Sequence, residues 1–257
     1  LDVDSTALGF AGGFPGEFIS KTLEESKIHT DFIEVDEDTR INVKLKSGQE
    51  TEINAPGPKV TQDQFQALLT QIKNTTNKDT VIVAGSVPNS IPSDAYAQIA
   101  EITKNTGAKL VVDAEKDLVE TVLPYQPLFI KPNKDELEVM FNTTVSSDQD
   151  VVKYGKEILK KGAQSVIISL GGDGAVYVDE QQSIKAVNPQ GKVINTVGSG
   201  DSTVAGMVAG LESGLSIQDA FKQAVASGTA TAFEEDLATR DAIEKIKSQV
   251  TVSVLDG

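Results

Sequence analysis

Residues 80–113 read TVIVAGSVPNSIPSDAYAQIAEITKNTGAKLVVD. Two short apolar runs, 80–84 and 109–113, enclose a helical pattern over about 93–105, and each run gives way to a glycine or a charged residue at its carboxyl end. The same alternation continues outward on both sides. Helices are predicted at about 61–74, 134–141 and 149–161, and apolar strands at 127–131 and 165–170. Continuously apolar strands separated by helices indicate an α/β fold, a doubly wound, mostly parallel sheet with helices on both faces. Ligands of such sheets bind beyond the carboxyl ends of the strands. Those ends are Ala84-Gly85-Ser86, Asp113-Ala114-Glu115-Lys116, Lys131-Pro132-Asn133 and Ser169-Leu170-Gly171-Gly172. All are polar or glycine-rich, and all are expected along one edge.

Toward the amino terminus, residues 5–14 read as a short strand ending in a Gly12-Gly13 turn, followed by a helix from Gly16 to Ser26. Three β-like runs follow, Phe32–Val35, Arg40–Leu45 and Glu50–Ile53. In the second, Ile41, Val43 and Leu45 alternate with Arg40, Asn42 and Lys44, which predicts a strand with one polar face. The turn Lys46-Ser47-Gly48-Gln49 makes a hairpin, and Asn54-Ala55-Pro56-Gly57-Pro58 makes a hinge. This antiparallel patch is either a lid over a site or a small sheet with a solvated face. Toward the carboxyl terminus a hairpin is expected at 175–178 and 183–187, then a strand at 193–197. Helices at 202–213, 216–232 and near 240–249 close a single domain over 1–257, with the lid drawn from about 30–56.

Composition narrows the chemistry. The 257 residues, 39% hydrophobic, can bury a large core. No apolar run reaches the ~18 residues that span a bilayer. With no cysteine there is neither a disulfide framework nor a thiolate metal site, which suits a cytoplasmic protein. A net charge of −15 argues against nucleic acid as a partner. A phosphate-binding chain this acidic must gather its cations locally, and Arg40, Lys44, Lys131, Lys134, Lys185 and Lys192 are the candidates.

The stretch Asn195-Thr196-Val197-Gly198-Ser199-Gly200-Asp201-Ser202 leads into a helix whose Val204, Met207, Val208 and Leu211 share one face. Glycines on either side of Ser199 permit a sharp turn that aims amide N–H groups at one point. A helix start behind such a turn attracts phosphate through unpaired donors and the positive end of its dipole. Asp201 there could cap the helix, or take a proton from a hydroxyl attacking a phosphoryl group. No G-x-x-x-x-G-K-[ST] run is present, and neither glycine cluster has the dinucleotide spacing. The lone histidine, His29, excludes multi-histidine metal sites and weakens any Ser/His/Asp triad; it is expected at the edge of the lid. Phosphoryl transfer, which depends on positioning and electrostatics, remains.

The run 195–201 closely resembles the signature of the ribokinase-like sugar kinases, the phosphofructokinase B family. Lys131-Pro132-Asn133-Lys134-Asp135-Glu136-Leu137 is similar to the family's Asn-x-x-Glu element, and Ser169-Leu170-Gly171-Gly172-Asp173-Gly174-Ala175 to its nucleotide-binding strand end. The runs 39–44, 50–58 and 233–239 resemble members acting on phosphorylated ketohexoses. The resemblance implies a ribokinase-like fold, and ATP and Mg²⁺ as cofactors. It makes Asp201 the base, and Gly198, Ser199 and Gly200 the hole for the transferred phosphoryl group. Lys131, Ser169, Leu170, Gly171, Gly172, Asp173, Gly174 and Thr196 would then meet the nucleotide, although Asp173 alone reads as a turn residue. Asn133 and Glu136 would hold magnesium through water, while their spacing equally suits a capping box. Arg40, Asn42 and Lys44 would clamp the phosphate of a phosphosugar substrate, with Ser86, and more weakly Lys116, as sugar contacts. Relatives suggest a homodimer formed through the lid. The alternatives are a member of the family acting on tagatose 6-phosphate and, from another class, a sensor of sugar phosphate or nucleotide without turnover. Family members open with an aspartate-bearing strand and a Gly-Gly-Lys-Gly loop; neither stands before Leu1, and Gly12-Gly13 matches a later family segment.

Overall fold

The computed structural model describes residues 1–47 and 49–255, with the side chains of 46–52 also left aside. The chain opens with a βαβ unit: β1 (Thr6–Ala11), α1 (Gly13–Glu25) and β2 (His29–Glu34), the two strands paired in parallel. A hairpin of β3 (Val43–Ser47) and β4 (Gln49–Ile53) follows. Next come α2 (Gln62–Lys73), β5 (Thr80–Ala84), α3 (Ala95–Thr106), β6 (Lys109–Asp113), α4 (Lys116–Val122), β7 (Phe129–Ile130) and α5 (Lys134–Phe141). The remainder is α6 (Asp148–Lys161), β8 (Ser165–Ser169), β9 (Ala175–Asp179), β10 (Ser183–Val187), α7 (Ser199–Glu212), α8 (Ile217–Ala232), α9 (Arg240–Lys247) and β11 (Thr251–Val254).

Seven of these strands form the main sheet in the order β11-β10-β9-β8-β7-β6-β5. Neighbours from β5 to β8 are parallel, and those from β8 to β11 antiparallel. Strand alternation sends successive residues to opposite faces. Val112, Ile130, Val166 and Ile168 pack toward Tyr96, Leu137 and Ile158 on one side. Val111, Phe129 and Ile167 pack toward Met207, Phe221 and Ala224 on the other. A third cluster, Phe65, Leu69 and Ile72 of α2 with Phe10, Val81 and Val83, joins the βαβ unit to the sheet. Because β6, β7 and β8 are covered on both faces, their continuous apolar reading is a packing requirement, whereas edge strand β5 leaves Ile82 exposed.

Helices α7 and α8 approach each other closely. A side chain at Gly228 would run into Thr203 and the Ser199 carbonyl, and one at Gly206 into Ser227 and Ala224. This contact seats the start of α7 against the last turns of α8.

Several expectations change. Residues 32–34 belong to β2, with Val35 just past its end, and pair with β1 across the α1 crossover, so the lid contains only β3 and β4, and His29 begins β2. Strand β3 begins at Val43, with Arg40 and Asn42 in the segment before it; the Asn42 side chain instead accepts the Ala55 N–H at 3.2 Å. The expected hairpin turn at Gly48 lies outside the described residues. Residues 193–197 form no strand: the Ile194 and Asn195 amides both donate to the Ala232 carbonyl at the end of α8, at 2.8 and 3.2 Å. A β-branched run therefore follows a helix terminus rather than a ladder. Helix α1 starts three residues earlier than the glycine turn suggested, and α4 and β11 are additions.

Candidate active site

The carboxyl ends of β5 to β8 lie along one edge, and a bridge from Asn133 to Ser169 extends the β7–β8 pairing past the strands. Asp113 ends β6, and Lys131 follows β7 by one residue. Their side chains form an ion pair at 3.3 Å with the Lys131 ammonium buried. Such pairs contribute little net stability once desolvation is counted, so their placement has to be explained by what they face. They face the start of α7: a Cβ on Gly200 would lie 3.3 Å from Lys131 Nζ and 4.0 Å from an Asp113 carboxylate oxygen.

Gly198 holds φ 78° and ψ −2°, the left-handed region that glycine adopts without strain, and serves as the N-cap of α7. It has no side chain to satisfy the orphan donors behind it. Within the turn, the Ser199 amide donates to the Thr196 carbonyl at 3.2 Å, and the Ser202 amide to the Gly198 carbonyl at 2.8 Å. The amides of Gly198, Gly200 and Asp201 make no hydrogen bond among the described residues. Three donors therefore stand open at a positive helix end, beside a buried ammonium. Ser199 spends its amide in the turn, but its hydroxyl oxygen is buried without a partner. Asp201 lies in the first turn of α7, exposed, and makes no capping bond. Of its two readings, the cap is not realised.

Electrostatics draw the same group together. Burial pushes the Asp113 carboxyl above the usual carboxylate range against the opposing pull of Lys131, and the charges of Asp201 and Glu136 add to the rise. Asp201 and Glu136 thus lie near enough to Asp113 for their charges to act on it. The Tyr96 hydroxyl donates to the Gly85 carbonyl at 2.8 Å, and burial, with a smaller contribution from Asp113, pushes it up to about 12. That bond anchors the turn carrying Ser86 at the same edge.

Asn133 and Glu136 form a full capping box at the start of α5. Glu136 accepts the Asn133 amide and Asn133 accepts the Glu136 amide, both at 2.8 Å. Beyond β8, residues 171–173 make one helical turn, closed by the Leu170 amide on the Gly174 carbonyl at 2.8 Å. Asp173 donates its amide to the Leu170 carbonyl as part of that turn. Gly174, at φ 94°, leaves no room for a side chain against the Ala186 carbonyl. Ser169 donates its amide to the Pro132 carbonyl at 3.0 Å, tying the end of β8 to the Lys131 segment.

Other candidates separate from this cluster. Lys185 is held by both carboxylate oxygens of Asp148 at 2.8 Å, and Lys116 reaches the Val139 carbonyl at 3.4 Å. Arg40 is half-buried before β3 and Lys44 lies exposed on it, so with Asn42 bonded within the lid the three do not line a single strand face. Two contributors were missed in the sequence. Asp113 stood at a strand end as the one charge closing an apolar run, a signal that was available. Asn195 was quoted only as part of a motif; its side chain donates to the Glu235 carbonyl at 3.0 Å and accepts the Val197 amide at 3.2 Å, fastening the 233–239 segment to the glycine turn.

This arrangement has counterparts of known family. A model described as "pfkB family carbohydrate kinase" matches residues 1–243. The chain is 44% identical over 253 residues to a 1-phosphofructokinase of Bacillus subtilis, covering 98% of this chain and 84% of the relative. It is 37% identical to a D-tagatose-1-phosphate kinase of Bacillus licheniformis, over 99% of this chain and 84% of that protein. A solved structure from Staphylococcus aureus, provisionally named a phosphofructokinase, superposes with a TM-score of 0.92 at 80% identity, covering 100% of this chain and 84% of that one. Phosphofructokinase-2 of Escherichia coli, solved with substrates and products, superposes with a TM-score of 0.91 at 27% identity over 96% of this chain and 82% of that one. The chain belongs to the pfkB family of carbohydrate kinases.

Proposed function

We propose that this chain transfers the γ-phosphoryl group of ATP to the C6 hydroxyl of fructose 1-phosphate, giving fructose 1,6-bisphosphate and ADP. One observation carries the reading: an uncapped, glycine-started helix presents three free amides and an unspent carboxylate beside a buried Lys–Asp pair. The transferred group rests on the amides of Gly198, Gly200 and Asp201, with the buried Lys131 ammonium alongside; together they offset the charge that builds on its oxygens. The Asp201 carboxylate takes the proton of the attacking hydroxyl, and a base so placed contributes ~10²–10⁴ in rate. ATP lies along Ser169–Gly174 and Thr196. The substrate's own phosphate is met by Arg40, whose planar fork binds two phosphate oxygens at once, with Lys44 of the lid as a second cation and Ser86 on the sugar.

Magnesium suits the oxygen-only donor set. No cluster of three or more potential ligands occurs among the described residues, and magnesium favours water, substrate phosphate and few carboxylates. Glu136 engages one carboxylate oxygen in the capping box, which leaves the other for a hydrated ion, with Asn133 beside it. When bound, the ion neutralises phosphate charge. We further propose cytoplasmic action, where ATP is supplied, and pairing of two copies through the lid, on which Ile41, Val43, Leu45 and Ile53 are exposed.

The 1-phosphofructokinase of Bacillus subtilis and the D-tagatose-1-phosphate kinase of Bacillus licheniformis, at 44% and 37%, are more similar to this chain than the tagatose-6-phosphate kinase of Staphylococcus epidermidis, at 33%, a value shared by the 1-phosphofructokinase of Haloferax volcanii. The second reading is therefore tagatose 1-phosphate, epimeric at C4. ADP release measured with fructose 1-phosphate, tagatose 1-phosphate, tagatose 6-phosphate and fructose 6-phosphate decides. The highest kcat/KM is expected for fructose 1-phosphate. A preference for a 6-phosphate would overturn the choice of hydroxyl, and no turnover with any of the four would leave the sensor.

A further inference from the structure

The last turn of α8 touches both halves of the proposed site. On one side, Asn188, just past β10, donates its amide to the Gly171 carbonyl at 3.0 Å and accepts from the Thr229 hydroxyl at 2.9 Å. That hydroxyl shares its proton with the Val225 carbonyl at 2.7 Å. On the other side, the Thr231 hydroxyl meets Ser202 at 2.9 Å, in the first turn of α7, and accepts the Ala238 amide at 3.2 Å. Between them, the Ala232 carbonyl takes the amides of Ile194 and Asn195, which lead into the glycine turn. Thr229 and Thr231 are both buried; the bonds they make to Asn188, Ser202 and Ala238 are partly buried, while the Asn188 bond to Gly171 is exposed.

The loop at 171–174 is held from its ends, where Ser169 pairs with Ala175 and Gly174 packs against Ala186, while its tip stands free of the sheet. Gly171, Gly172 and Asp173 are exposed, and a side chain at Gly171 or Gly172 would meet nothing within 4 Å. Its internal bonds shape the turn without fixing its distance from α7. Asn188 is the side chain that ties it to a helix also bonded to α7. We infer that the last turn of α8 sets the nucleotide loop in register with the phosphoryl-binding turn, and that Asn188 is the positioning residue through which it does so. The inference rests on the kinase reading, since it assigns ATP to the loop. It adds a residue that need not touch either substrate and that acts on one of the two.

The test uses Asn188→Ala, Thr229→Val and Thr229→Ser, with ATP binding by calorimetry beside steady-state kinetics. Losing Asn188 removes the tie to the loop, for which an effect of about tenfold is expected. ATP should bind Asn188→Ala about tenfold more weakly than the parent, and KM for ATP should rise to match. KM for the sugar phosphate and kcat should stay within about twofold, a split that general loosening of the fold would not produce. Thr229→Val should shift ATP binding in the same direction, and Thr229→Ser, which keeps the hydroxyl, should restore it. Unchanged ATP binding in Asn188→Ala, or equal rises in both KM values, would overturn the inference. A parent that binds ATP without transferring phosphate contradicts the kinase reading, and the binding ratios still decide the role of Asn188.

Discussion

Asp201→Asn is expected to fold, to bind ATP as the parent does, and to lose ~10²–10⁴ in turnover. At about 1.4 kcal/mol per tenfold, that is roughly 3–5 kcal/mol of barrier. The stability cost should be far smaller. Asp201 is exposed and makes no capping bond, so the fold loses only the attraction of one carboxylate to a helix N-terminus, about 0.3–1 kcal/mol. The two readings of this residue therefore predict opposite patterns. A base gives a large kinetic loss with a small thermal shift, whereas a structural residue gives the reverse. Steady-state kinetics with a melting curve on the same sample separates them.

Lys131→Met is the second large effect. It removes the buried ammonium beside the open amides, and a loss of ~10²–10³ in kcat is expected, the magnitude typical of one preorganised donor. It also strands the Asp113 carboxylate, and a broken buried pair costs about 3–5 kcal/mol when the remaining charge cannot adjust. Here it can adjust, because burial already holds Asp113 above the usual range and removing Lys131 raises it further. With the folded value above the unfolded one, the folded state binds more protons, so stability falls as pH rises. The variant's deficit should vanish near or below about pH 4, grow as pH climbs through the raised value, and level off above it. The double variant Lys131→Met/Asp113→Asn should recover stability at pH 8 while remaining slow. Recovery of turnover in the double variant would remove Lys131 from the chemistry.

The centre of the sheet was legible in the sequence because β6, β7 and β8 are buried on both faces. β5 and β6 fall where the apolar runs end, and α5 where its cap and spacing placed it. The failures share a cause: partners remote in sequence decide them. Val193, Ile194 and Val197 look like a strand, yet the amides of 194 and 195 are taken by the end of α8, some 37 residues on. The Phe32–Val35 run looked like part of the antiparallel lid and pairs instead with β1, because α1 returns the chain in parallel. At the site, the glycine turn could be read directly, since its backbone needs glycine. Which amides stay free could not be read, because that depends on the Thr196 carbonyl turning in to take Ser199. The Asp113–Lys131 pair joins two strand ends, and Asn188 joins a loop to a helix; neither leaves a local pattern.

The most direct test of the account is a crystal structure of the chain with a non-hydrolysable ATP analogue and fructose 1-phosphate. The account predicts the C6 hydroxyl within about 2.6–3.2 Å of an Asp201 carboxylate oxygen, with the terminal phosphoryl oxygens on the amides of Gly198, Gly200 and Asp201. A terminal phosphate bound away from the start of α7, with Asp201 turned from the sugar, would contradict it.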